Sequence, residues 1–146
     1  MVKRHVVVLA SLVVVAGCGS SNQTQAPAAS AGKVSFVEPK DGATVKSPVH
    51  LKFAVEGYQI SPVPQGTVET ARPGMGHYHV GVDQDCLAPG ATIVKGTPAW
   101  VHMGTGSSEI DMQLTPGQHK LALQIGDDLH KTVEGFCQTI TVNVEP

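Results

Sequence analysis

Lys120-Leu121-Ala122-Leu123-Gln124-Ile125 alternates between large apolar side chains and small or polar ones along its whole length. Successive side chains of a β-strand point to opposite faces, so this pattern is typical of a strand with one apolar face. Turn-forming residues lie on both sides, with Thr-Pro-Gly at 115–117 and Gly-Asp-Asp at 126–128. The sequence therefore predicts a half-buried β-strand that is bounded by turns.

The same two-residue period recurs through the rest of the chain after residue 33. It is visible in the segments 34–37, 49–56, 77–83, 109–114 and 140–144. No segment shows a helical period of apolar residues, and short strands separated by turns are typical of a sandwich. We therefore predict an all-β fold, an immunoglobulin-like β-sandwich of about seven short antiparallel strands. One connection, Gly57 to Gly74, is long and rich in proline, and loops of that length are often functional.

The N-terminus has the features of a secretion signal. Lys3 and Arg4 precede an apolar run from Val6 to Ala16, which is too short to span a bilayer. The run ends in Val15-Ala16-Gly17-Cys18, which resembles the bacterial lipobox, where the signal is cut before an acylated cysteine. We predict a signal peptide over residues 1–17 and lipidation of Cys18. The alternative is an ordinary signal peptide that happens to end in cysteine.

Lipidation would define the organisation of the mature chain. Residues 18–32 comprise the acylated cysteine and a small, polar, flexible tether, and residues 33–146 form the β-sandwich domain. Several acyl chains on one residue are enough for stable anchoring. Gly19 stands where an aspartate often marks retention in the inner membrane. The periplasmic face of the outer membrane is therefore the expected location.

Charge and cysteine content narrow the possible partners. Removal of Lys3 and Arg4 leaves eight basic against twelve acidic residues, a formal charge of −4. The chain has no basic cluster, so a nucleic-acid partner is disfavoured. The one partner that the sequence predicts is the membrane, through the lipid on Cys18. Of the three cysteines, Cys86 and Cys137 remain as a pair, which predicts a disulfide in an oxidising compartment. Two free thiols or a thiolate metal site are the alternatives.

His77 and His79 are the first candidate site residues. They are two positions apart on a predicted strand, so both imidazoles point away from the apolar face that contains Tyr78. Two neutral imidazoles with this spacing are a common arrangement for binding a transition metal. For an isolated pair, two exposed or hydrogen-bonded histidines are the more common arrangement.

Further polar residues accompany this pair. His102 precedes a Gly-rich turn that would bring Glu109 back toward it, and His130 lies in a loop between strands. Asp83 shares the strand face of the His-x-His pair. His119 shares the parity of the apolar residues that follow it, which favours a structural role. We predict a metal site formed by His77, His79, His102 and His130, with Asp83, Glu109 and His119 as candidate additional or outer ligands.

Four motifs, in this order, resemble an uncharacterised family of bacterial secreted domains of unknown function. The family pattern is Gly-His-His-His, His-Phe-Gly-x-Gly-Gln-Thr-Glu, Leu-x-Pro-Gly-x-His-x-Leu and Asp-x-x-His. The corresponding segments here are 76–80, 102–109, 114–119 and 127–130. Tyr78 replaces the middle histidine, and Ser107-Ser108 replaces Gln-Thr. Because the family has no established activity, the resemblance implies a fold and a site rather than a reaction.

The sequence contains no catalytic signature. It lacks a Gly-x-Ser-x-Gly elbow, a phosphate-binding loop and a His-Glu-x-x-His motif, so an enzyme is the least favoured class. We predict a lipid-anchored binding module of the cell envelope that holds Cu or Zn through its histidines. The alternative is a non-metal structural or interaction module in which the histidines form hydrogen bonds.

Overall fold

The computed structural model describes residues 32–146. The predicted signal peptide, Cys18 and the rest of the predicted tether up to residue 31 lie outside these residues. The described part contains nine strands and no helix, and so no helix that could cross a membrane. The strands are β1 (Lys33–Glu38), β2 (Ala43–Lys46), β3 (Val49–Glu56), β4 (Gln59–Ile60), β5 (Met75–Val82), β6 (Trp100–His102), β7 (Glu109–Met112), β8 (Gly117–Asp127) and β9 (Thr132–Glu145).

The strands form two sheets. One has three strands in the order β1-β3-β7, and the other has the order β2-β9-β8-β5-β4, with β6 also paired to β5. All pairs are antiparallel except β2 with β9 and β4 with β5. The predicted all-β sandwich is confirmed. Strands β2, β4 and β6 were not predicted; β4 and β6 have only two and three residues, which are too few to establish a period.

The main core lies between the two sheets and consists of the side chains on the apolar face of each strand. Phe53 from the three-stranded sheet packs on Tyr78 from the other, with ring centroids 5.2 Å apart. Each fully buried large apolar side chain stabilises the fold by roughly 1.5–3 kcal/mol. The residues with no exposed surface at this core are Leu51, Val80, Leu121, Leu123, Ile125 and Val142.

The six-stranded sheet is also buried on its outer face, which the alternating pattern did not predict. Residues 83–99, here called the cover segment, pack against this face through a second, smaller apolar cluster. It comprises Leu87, Ile93, Ala99, Trp100 and Ala122. The residues of β5 and β8 that alternate with the apolar ones therefore lie inside the protein, although the sequence pattern predicts that they face water.

Covalent and polar links hold the cover segment in place. Cys86 is bonded to Cys137 of β9, with their Cα atoms 6.0 Å apart, so the predicted disulfide is confirmed. The buried Gln124 side chain accepts a hydrogen bond from Leu87 N and donates one to Leu87 O, each 3.0 Å long. A polar side chain on the outer face of β8 is thereby satisfied without water.

Candidate metal centre

Strand pairing brings four histidines together on the outer face of the six-stranded sheet. His77 and His79 point to the side of β5 opposite Tyr78, and neither has any exposed surface. Strand β6 runs antiparallel to β5 and places His102 directly opposite His79. His130 comes from the turn between β8 and β9, and β8 also pairs with β5.

Two glycines leave the space that the imidazole rings occupy. A Cβ atom at Gly126 would stand 2.7 Å from Cε1 of His79, and one at Gly104 would meet the ring of His102 at a similarly forbidden distance. Neither glycine has a positive φ, so alanine is compatible with the backbone at both positions. The role of these glycines is therefore to let the rings approach the backbone closely.

The turn that presents His130 is held on both sides. His130 has φ of 60°, a left-handed conformation that is uncommon outside glycine. Its amide donates to Asp127 O at 2.9 Å, and its carbonyl accepts a hydrogen bond of 2.8 Å from Ile93 N in the cover segment. The imidazole is thus aimed by a backbone that the surrounding structure fixes.

The ring nitrogens converge on one point. One nitrogen from each of the four histidines lies within 4.8 Å of the others. Nε2 of His102 lies 3.0 Å from Nε2 of His77 and 3.0 Å from Nε2 of His130. An imidazole nitrogen has either one hydrogen or one lone pair, so His102 Nε2 forms a well-aligned hydrogen bond with only one of them. One of the two contacts of 3.0 Å is therefore left without a well-aligned hydrogen bond.

Three other nitrogens of the cluster are buried without a partner among the described residues. They are Nδ1 of His77 and both ring nitrogens of His79. A buried polar atom left unpaired costs about 1–3 kcal/mol. Metal–nitrogen distances of about 2.0–2.1 Å place tetrahedral ligand nitrogens roughly 3.3 Å apart. The two pairs at 3.0 Å are already near that spacing, and the widest pair, within 4.8 Å, would have to close by at most about 1.5 Å. A bound ion would use lone pairs that otherwise face one another.

All four imidazoles favour the neutral state. Burial, followed by the neighbouring His102 and His130, lowers the pKa of His77 to about 4. Burial, followed by His77, lowers the pKa of His79 to about 2. Burial and then Lys95 lower the pKa values of both His102 and His130. Neutral imidazole is the form that binds metal ions, so the cluster is ready to ligate at neutral pH.

An ion pair between the partly exposed Arg72 and the buried Asp128 lies beside the cluster and was not predicted from the sequence. Asp128 has a fully buried side chain and accepts two side-chain hydrogen bonds from Arg72, each 2.8 Å long. The Arg72 backbone amide also donates to it at 2.9 Å, and these bonds hold the pKa of Asp128 below its usual range. The pair joins the long connection 57–74 to the turn of His130. Two charges 56 positions apart give no local sequence signal.

The structure places Asp83 and His119 together, away from the four-histidine cluster. Asp83 follows the last residue of β5 with φ of 54°, so the alternation of faces does not extend to it. Its carboxylate lies 3.0 Å from Nδ1 of His119, whose Nε2 donates to Thr115 O at 2.9 Å. Partial burial lowers the pKa of His119, but the hydrogen bonds to Asp83 and Thr115 outweigh it, and the pKa is raised overall.

Glu109 is not brought back toward His102. The Gly-rich turn leads instead to the three-stranded sheet, where Glu109 pairs with Lys52 of β3. Its carboxylate lies 4.0 Å from Nε2 of the half-exposed His50, which bonds Asp111 at 2.8 Å. Of the seven candidate site residues, the structure therefore brings together the four histidines at 77, 79, 102 and 130.

The fold and the site define an all-β sandwich protein with a buried cluster of four histidines. The family model of a domain of unknown function, DUF4399, matches residues 51–145, and the chain belongs to this family. No curated protein matches the chain. Among solved structures, an endo-beta-1,4-mannanase from Thermotoga petrophila is similar at 20% identity with a TM-score of 0.43. The match covers 77% of this chain and 19% of that one.

Proposed function

We propose that the protein binds one transition-metal ion, Cu(II) or Zn(II), through His77, His79, His102 and His130. The observation that supports this is the position of His102 Nε2, which lies 3.0 Å from Nε2 of His77 and 3.0 Å from Nε2 of His130. A single imidazole nitrogen does not form well-aligned hydrogen bonds with both of them. A single ion at the centre of the cluster accepts a lone pair from each ring.

The donor set favours these two metals. The group contains imidazoles only, without the oxygen ligands that Ca²⁺ and Mg²⁺ prefer. Imidazole suits Zn and Cu, and the Irving–Williams order ranks Cu(II) highest among the divalent ions. The fully buried His77 and His79 supply the rigid part of the site, since both belong to one strand.

We further propose that this binding module is lipid-anchored through Cys18 in the bacterial cell envelope, on the periplasmic face of the outer membrane. The lipobox-like residues 15–18 support the anchor. The disulfide between Cys86 and Cys137 supports an oxidising compartment, because such bonds are rare in the reducing cytosol. An envelope protein of this kind would buffer, scavenge or deliver metal.

Calorimetric titration of the metal into tag-free protein at neutral pH tests the metal site. We expect one ion per chain, with His79→Ala and His102→Ala each weakening affinity by at least about tenfold. His119→Ala is the matched control, because His119 is a partly buried histidine with its own hydrogen bonds outside the cluster. His50→Ala is a second, exposed control.

The competing function is a structural or interaction module in which the imidazoles bond to one another. The two nitrogen–nitrogen distances of 3.0 Å are within hydrogen-bonding range, which favours it as the alternative. Absence of saturable binding at micromolar metal, or binding that neither cluster variant changes, would support this alternative and refute the metal site.

A further inference from the structure

The four-histidine cluster lacks a negative charge to balance a divalent ion. Its members are all neutral imidazoles, with no carboxylate or thiolate among them in residues 32–146. Two carboxylates lie in the turn of His130, and neither belongs to the group of converging ligands. Both oxygens of Asp128 bond Arg72, and Oδ1 of Asp127 accepts hydrogen bonds from Leu129 N and Lys131 N. An ion in this site would therefore have no anionic ligand, and its two positive charges would lie in a largely buried place. Such charge is costly unless a counter-charge accompanies it.

The cluster lies closer to the protein surface on one side. His77 and His79 have no exposed surface, whereas His130 is 9% exposed and His102 is partly exposed. The side of His102 and His130 is therefore the side nearest to solvent. The two buried histidines close the opposite side.

Lys95 lies near this side of the cluster. The cover segment is bonded to the His130 turn through Ile93 N, and the chain then turns at residues 94–97, where Thr97 Oγ1 donates to Val94 O at 3.3 Å. Lys95 is at the exposed tip of that turn and makes no ion pair within the described residues. Thr97 pairs with Trp100, two residues before His102, so the turn that contains Lys95 runs between the His130 side and the His102 side of the cluster.

A cation beside a positively charged metal centre is unfavourable unless an anion lies between them. We propose that the bound ion takes a small monoanion from solution as an additional ligand, at the side of His102 and His130 and next to Lys95. Chloride, azide, hydroxide and a carboxylate share the chemistry required, which is one negative charge and a lone pair for the metal. This inference rests on the proposed metal site. It adds to the four histidine ligands a coordination position at which a ligand from solution can exchange.

Titration of azide into the Cu(II)-loaded, tag-free protein tests the proposal. Azide bound to Cu(II) produces a charge-transfer absorption band, and we expect a saturable band at one azide per copper. Lys95→Gln should weaken azide binding by about three- to tenfold, while Cu(II) binding is unchanged or tighter because a like charge is removed. Lys95→Arg should restore the azide affinity. Lys52→Gln, on β3 of the other sheet, is the matched control and should leave it unchanged.

The outcomes separate this inference from the metal site itself. Cu(II) binding at one per chain without an azide band would overturn the exchangeable position and leave the metal site standing. Equal azide affinity in wild type and Lys95→Gln would overturn the role of Lys95. Failure to bind Cu(II) would refute both, unless Zn(II) binds, in which case the Co(II)-substituted protein replaces Cu(II) as the spectroscopic probe for azide.

Discussion

The metal-free protein should lose stability steeply as the pH falls below about 6.5. His77 and His79 are neutral in the folded state, with pKa values lowered to about 4 and about 2 by burial. In the unfolded chain both titrate near 6.5. Between the folded pKa values and pH 6.5, the unfolded state therefore binds more protons than the folded state. The contribution of the two neutral histidines to the free energy of unfolding is complete above pH 6.5 and is lost as the pH falls toward the folded pKa values.

The structure sets the size of this effect. With a folded pKa of about 4, His77 alone removes about 2 kcal/mol between pH 7.5 and pH 5, and His79 removes about as much again. The total is a large part of the 5–15 kcal/mol typical of a domain. His119 acts in the opposite direction, because its raised pKa makes its contribution greatest at low pH.

Urea unfolding in the presence of a chelator, followed by the fluorescence of the buried Trp100, measures this dependence. Between pH 6 and pH 5, His77→Asn should reduce the slope of unfolding free energy against pH by about 1 kcal/mol per unit, because one proton fewer is taken up. His50→Gln, at an exposed site, should leave the slope unchanged. A slope that is the same in wild type and His77→Asn would refute the argument from burial.

Three further predictions concern the site, the disulfide and the anchor. Gly104→Ala should weaken metal binding by about tenfold or more, measured by calorimetry, because its Cβ displaces the ring of His102 while the backbone remains allowed. Replacing both Cys86 and Cys137 by serine should lower the free energy of unfolding by about 4 kcal/mol in urea, since the bond closes a loop of 51 residues. Cys18→Ser should move the protein from the detergent phase to the aqueous phase in a detergent-partitioning assay.

Each of these predictions has an outcome that contradicts it. Unchanged metal affinity in Gly104→Ala would show that His102 has room to move. A loss below about 1 kcal/mol in the double serine variant would mean that the cover segment holds its place without the covalent link. Equal partitioning of the Cys18→Ser variant and the wild type would rule out the lipid anchor.

Much of the strand framework was predictable from local pattern. The alternation at 120–125 and in the other segments identified β1, β3, β5, β7, β8 and β9, because burial of one face of a sheet imposes a period of two on the sequence. The pairing of Cys86 with Cys137 followed from counting cysteines. The common orientation of His77 and His79 followed from strand geometry alone. All of these features depend on neighbouring residues or on composition.

Other features depend on contacts between distant residues, and only the tertiary structure decided them. The cover segment buries the outer face of β5, so histidines whose parity suggests a solvated face are inside the protein. The pairing of β6 with β5 sets His102 opposite His79, and Arg72 reaches Asp128 across 56 positions. The turn after His102 leads Glu109 to the other sheet. Alternation records which side of a strand is apolar, but what packs on the polar side is set by chain segments far away in sequence.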